Sequence, residues 1–232
     1  MNELLAHFAR PGNQIVIPQM PKFVDHKIAA SKDEPLTAKL YEYVMAGNGL
    51  FVRARRAEFT ATIPVCRVSV KGLPEIQTGI VWHKPKIASR IWREILENAK
   101  ANSDAEDFKE DFYAVFWSDA RDDWDWAAIG RERSLSSTIA DDKKVEYAAA
   151  CLELHTHPPG AIHFSRADDR DESGKFRLFG ILTDIYEQPK IRLRCGVYNY
   201  FEQLTTEEVG DVPGEILDLN RIERIIKKSF SL

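Results

Sequence analysis

Few cysteines and no long apolar run are the first two facts about this chain, and both narrow what it can be. Cys66, Cys151 and Cys195 are the only cysteines among 232 residues. Odd in number and widely spaced, they fit reduced thiols packed as small core residues, not a disulfide framework or a cysteine-based zinc site. No stretch approaches the roughly 18 to 20 apolar residues of a membrane helix, and Met1-Asn-Glu-Leu-Leu lacks the basic start and apolar core of a signal peptide. A cytoplasmic protein with no membrane partner is expected. Charge of one sign is also lacking: 32 Lys and Arg against 36 Asp and Glu leave a net charge of -4, which argues against nucleic acid as the main partner. The local basic cluster Arg53-Ala-Arg-Arg56 reads instead as the polar face of a strand. Internal repeats and low-complexity segments are missing too. What remains is an ordinary globular composition, 44% hydrophobic and 29% charged, long enough for one large domain or a catalytic domain with a smaller companion.

The N-terminal part reads as β-rich. A short apolar helix candidate, Glu3 to Ala9, precedes the extended run Gln14-Ile-Val-Ile-Pro18. Tyr41 to Ala46 and Leu50 to Arg55 read as strands joined across Gly47-Asn-Gly49, with Glu58 to Val65 as a third strand and Gln77 to Trp82 as a connecting one. A soft boundary near residue 80 divides a β-rich region, residues 1–80, from a second region, residues 81–232. In the second part, Ile87, Ile91, Ile95 and Ala99 recur every four residues, which predicts an amphipathic helix over Lys86 to Ala101. Phe112 to Trp117 and Trp124 to Ile129 read as strands, Ser134 to Thr138 as irregular. Phe176 to Thr183 and Ile191 to Tyr198 form a strand pair, and an amphipathic helix from about Asn220 to Phe230 follows. The expected fold class is α/β, a mixed sheet flanked by helices.

The run Leu154-His-Thr-His-Pro-Pro-Gly-Ala-Ile-His-Phe-Ser-Arg-Ala-Asp168 carries the chemistry. On an extended segment, side chains two apart project from the same side, so His155 and His157 can hold one metal ion. Asp168, brought back by the Pro-Pro-Gly turn, would be a third ligand and leave the fourth tetrahedral position to water, as in a catalytic zinc site. Ser165-Arg-Ala-Asp168 also reads as a helix start with Ser165 as its cap and acidic residues in its first turn. The two readings are compatible.

With seven residues between His157 and Ser165 and two between Ser165 and Asp168, this run resembles the JAMM/MPN+ metalloprotease pattern, His-x-His-Pro, a spacer, then Ser-x-x-Asp. The resemblance implies Zn2+ on His155, His157 and Asp168, Ser165 as an oxyanion donor, and an upstream glutamate that takes a proton from water. Candidates are Glu94, Glu97, Glu106 and Glu110. Glu94 and Glu97 fall within the predicted helix and read as its solvated face. Glu110 lies two residues before the strand at Phe112 and 45 before His155, a separation the family tolerates, so it is the choice, with Glu106 next. Glu153 shares the face of His155 and reads equally as support for a ligand imidazole or as a surface residue. His163 is extra to the pattern; a further ligand and a substrate contact are open readings, a surface histidine the expected one.

Phe164 to Glu172 and Gly174 to Gly180 extend the resemblance to bacterial JAMM proteins encoded beside E1-like (ThiF-related) and ubiquitin-like proteins. These include protein A of the ParB-related, ThiF-related cassette and the deconjugases of ubiquitin-like antiviral operons. The likeness is strong over about residues 85 to 200. It implies a ubiquitin-like protein and its conjugates as substrate, an isopeptide or peptide bond after the modifier's tail as the point of cleavage, and a ThiF-related partner. The tail would add a strand near Ser134 to Thr138 or at the N-terminal meander. Two other readings stand beside it. A small-molecule or general peptide metal hydrolase is one, although barrel amidohydrolases need repeated strand-helix units that are missing. A non-catalytic MPN scaffold or binding module is the other, and the intact ligands count against it.

Overall fold

The computed structural model describes residues 22–103, 108–133, 138–140 and 144–230. The expected helix at Glu3 to Ala9, the run Gln14 to Pro18, Glu106 and residues 134–137 lie outside them. Within the described residues the chain is α/β, with mixed β-sheets and few helices, none long and apolar enough to cross a membrane.

The first sheet holds β1 (Val24–Ile28), β2 (Tyr41–Ala46), β3 (Gly49–Arg55), β4 (Phe59–Cys66) and β5 (Gly79–Trp82) in that order. The β2–β3 turn must be glycine-rich for a local reason. A Cβ on Gly47 would stand 2.4 Å from the Leu73 carbonyl oxygen, and one on Gly49 2.4 Å from that of Cys66. Only hydrogen fits there.

After Trp82 the chain enters α1 (Ser89–Asn102), then β6 (Phe112–Ser118), β7 (Asp123–Ala128), the small β8 (Gly130–Arg133) and β9 (Thr138–Ala140) pair, and α2 (Val145–Ala149). β10 (Leu152–Thr156), α3 (Arg166–Glu172) and β11 (Lys175–Thr183) follow, then β12 (Lys190–Tyr198), β13 (Tyr200–Leu204), α4 (Thr206–Val209), β14 (Leu217–Asp218) and α5 (Leu219–Ser229). The second sheet runs β13-β12-β11-β10-β6-β7, with β14 beside β12. β10 pairs with β11 in parallel and with β6 antiparallel. A parallel pair needs a crossover, and this one carries the Pro158–Gly160 turn and α3.

α1 begins later than its apolar spacing predicts. Ile87 keeps the period, but its backbone bridges sideways: its N–H reaches the Val209 carbonyl at 3.3 Å and its carbonyl accepts from Asp211 N–H at 2.9 Å. Those bonds replace helical ones. The helix buries Ile91, Trp92, Ile95, Leu96 and Ala99. They join Val52, Phe59 and Ile63 of the first sheet and Tyr113, Leu152, Leu178 and Cys195 of the second in one apolar core. The two sheets therefore share their interior.

Two sequence expectations need correction. Arg53 does not lie on a solvated strand face: it is 8% exposed and ion-paired with fully buried Glu42, which stands directly opposite it in the β2–β3 register. Arg56 is likewise engaged, with Glu58 at 2.6 Å and the Ala150 carbonyl at 2.9 Å. Cys66 is exposed at the end of β4, unlike Cys151 and Cys195, which are buried. The expected amphipathic helix forms as α5, and it packs by its polar side. Asn220 donates to the Leu193 and Leu204 carbonyls at 2.6 and 2.7 Å, leaving Ile225 and Phe230 exposed.

Candidate metal centre

His155 is the penultimate residue of β10, and His157 follows the strand's end. Extended backbone puts both imidazoles on one side. Their Nε2 atoms stand 2.9 Å apart. Asp168 arrives from α3, with carboxylate oxygens 3.3 Å from His155 Nε2 and 3.5 Å from His157 Nε2. Three donors on a tetrahedral zinc with bonds near 2.0–2.1 Å would be separated by about 3.3 Å. The separations of 2.9 Å between the two Nε2 atoms, 3.3 Å from His155 to Asp168 Oδ1 and 3.5 Å from His157 to Asp168 Oδ2 are each of the size that donors around one small divalent ion need. The residues fit the group.

Hydrogen bonding sets the His157 tautomer for that use, and the charges around each group set its protonation. His157 Nδ1 stands 3.2 Å from the Ala161 carbonyl; a proton on Nδ1 donates there and leaves Nε2 as a lone pair turned inward. Burial holds the His155 pKa below its ordinary value, against the pull of Asp168, and so favours the neutral ring. Burial lowers His157 as well, but hydrogen bonding and charge from Asp168 outweigh it, and the net direction is up. For Asp168 burial opposes ionisation, and the two histidines with the Ser165 N–H reverse it, holding the carboxyl well below the usual range.

The Ser165 reading as a helix cap holds. Its Oγ accepts from Ala167 and Asp168 N–H, each at 3.2 Å, and its own N–H donates to Asp168 Oδ2 at 2.5 Å, a complete capping box. With the oxygen's acceptor sites engaged by backbone, its one O–H is left as a donor. Asp168 is a cap partner and faces both histidines at once, so the same bonds that start α3 aim its carboxylate.

Glu110 reaches the site through strand register. β10 pairs with β6 from Leu152↔Val115 to His155↔Phe112. Thr156 N–H donates to the Asp111 carbonyl at 2.9 Å, continuing the ladder, and one further step sets Glu110 across from His157. Alternation puts Glu110 and Phe112 on the histidine face, and Phe112 stacks on His155 at 5.7 Å between ring centres. Glu110 is buried, and desolvation pushes its carboxyl up to about 7, against the attraction of His157 and with the repulsion of Asp168.

No known protein family and no curated protein matches the chain. What the site can do is carried by its geometry.

Glu110, His155, His157, Ser165 and Asp168 line one cavity of about 740 Å³. His163 lines it too, from an exposed position. Glu153 is no surface residue: it is 2% exposed, paired with Arg177 and, at 3.1 Å, with Lys175. Glu94 bonds the Trp126 indole at 2.8 Å on α1 and does not line the cavity. Sequence reasoning missed the stacked Phe112 and the buried Arg192 and Arg194 on β12. The alternation Ile191-Arg-Leu-Arg-Cys195 was the available signal for the arginines.

Proposed function

We propose that the chain is a JAMM-type zinc metallopeptidase that cuts after the C-terminal tail of a ubiquitin-like protein, in deconjugation or precursor processing. The observation that carries the hydrolase reading is the convergence of His155, His157 and Asp168 on one point, in a cavity that also holds a desolvated carboxylate and a hydroxyl donor. Zinc bound at such a trio supplies Lewis acidity and a water whose pKa falls to about 7.

The chain's own groups do the rest. Glu110, across from His157, accepts the proton of the attacking water and returns it to the departing amine. Ser165 donates its O–H to the oxygen that gains charge as the carbonyl becomes tetrahedral. The capping box holds that hydroxyl in place before substrate arrives. Phe112 covers His155 and keeps water from one face of the site. A cavity of about 740 Å³ lies within the range that accepts several atoms of an extended peptide.

Support for the modifier as substrate comes from the resemblance over Phe164 to Glu172 and Gly174 to Gly180. A ThiF-related protein is the corresponding partner. The test is cleavage of a ubiquitin-like protein fused through its C-terminus to a reporter, with and without chelator. Cleavage that needs metal and an intact tail supports the proposal. Equal cleavage of unrelated short peptides would replace it with a general metal hydrolase.

A further inference from the structure

We infer that Arg192 and Arg194 on β12 are the positioning residues that seat Asp168 and Ser165 against the two histidines. The inference rests on the metal reading above and names what holds its third ligand. α3 has only seven residues, four of them acidic. Helices below about 12 residues are marginal alone, and like charges in adjacent turns repel. The capping box shapes the first turn but does not fix where the helix sits relative to β10.

Two buried arginines do. Ile191, Leu193 and Cys195 point into the apolar core, so alternation turns Arg192 and Arg194 to the opposite face, under the ligand loop and α3. Arg194 donates to Asp169 and to Glu172 Oε2, both at 2.7 Å, gripping two carboxylates three residues apart on one helix face. Its guanidinium also lies 3.8 Å from the ring centre of Phe164 and 4.2 Å from that of Phe201. Arg192 donates its Nε–H to the Ile162 carbonyl at 2.8 Å and is itself held by Asn220 at 3.0 Å and Glu223 at 2.5 Å.

The tethered residues 162, 164, 169 and 172 thus bracket Ser165 and Asp168 on both sides. Neither arginine is among the metal donors, so each acts through placement. Lysine cannot substitute. It lacks the planar fork that meets two carboxylates and the flat face that stacks on a ring.

The test uses the full chain: zinc affinity by chelator competition, the visible spectrum of the cobalt-loaded protein, and circular dichroism of the metal-free form. Arg194→Lys and Arg192→Lys should stay folded, bind zinc about 10–100-fold more weakly, as loss of an outer hydrogen bond does elsewhere, and shift the cobalt bands. Should Arg194→Lys fail to fold, Asp169→Asn loosens the same grip at an exposed partner and should weaken binding in the same direction. Folded variants that bind zinc within about twofold of the unaltered chain, with unchanged cobalt bands, would overturn the inference and leave the metal site standing. An unaltered chain that binds neither ion would overturn the metal reading and the inference together.

Discussion

Replacing Glu110 with glutamine should slow turnover by orders of magnitude and stabilise the metal-free protein. Burial lifts the Glu110 carboxyl from near 4.5 to about 7. The folded state then keeps its proton to higher pH than the unfolded chain, so stability falls as pH rises between those values. At 1.36 kcal/mol per pH unit the full penalty is about 3.4 kcal/mol; water at the cavity mouth screens this to about 1–2 kcal/mol. Glutamine is neutral throughout and escapes it. Urea denaturation of chelator-treated proteins should show Glu110→Gln more stable by about that amount at pH 8, with the gain shrinking toward zero near pH 5. The zinc-loaded variant should cleave about 10²–10⁴-fold more slowly. Equal stability at both pH values would refute the desolvation argument. Near-normal turnover would move the proton acceptor elsewhere, with Glu106 the next residue to change.

Ser165→Ala should slow cleavage about 10²–10³-fold and cost about 1 kcal/mol of stability, because it removes an oxyanion donor and a helix cap together. Ser165→Asp keeps a capping oxygen and loses the hydroxyl, so melting should recover while turnover does not. Chelator should abolish activity without changing the circular dichroism, since the ladder bonds of β10 and the capping box of α3 form without a metal. Arg53→Met should lower stability by about 3–5 kcal/mol at most, the cost of a buried carboxylate losing its partner. Lys27, 3.1 Å from Glu42, should moderate it. The urea midpoint measures the loss.

Local signals were legible in the sequence and non-local ones were not. The Gly47-Asn48-Gly49 turn, the strands around it and the histidine strand follow from turn chemistry and alternation over a few residues. The grouping of His155, His157 and Asp168 was legible for the same reason, because a turn and a cap place all three within 14 residues. Glu110 was selected by its spacing within the family pattern. Its physical reason, the β6–β10 register, joins segments 45 residues apart and leaves no mark in the local pattern. Ile87 shows the opposite failure: its period is helical, and a bridge to Gly210 takes its backbone. Arg53 and Cys66 were misread because burial is set by what packs on each face.

Elemental analysis of the purified chain beside Asp168→Ala is the most direct test of the central claim. One zinc per chain, reduced to near zero in Asp168→Ala and in the double variant His155→Ala with His157→Ala, is the expected result. Metal at the same level in all three proteins, or none in the unaltered chain, would contradict it.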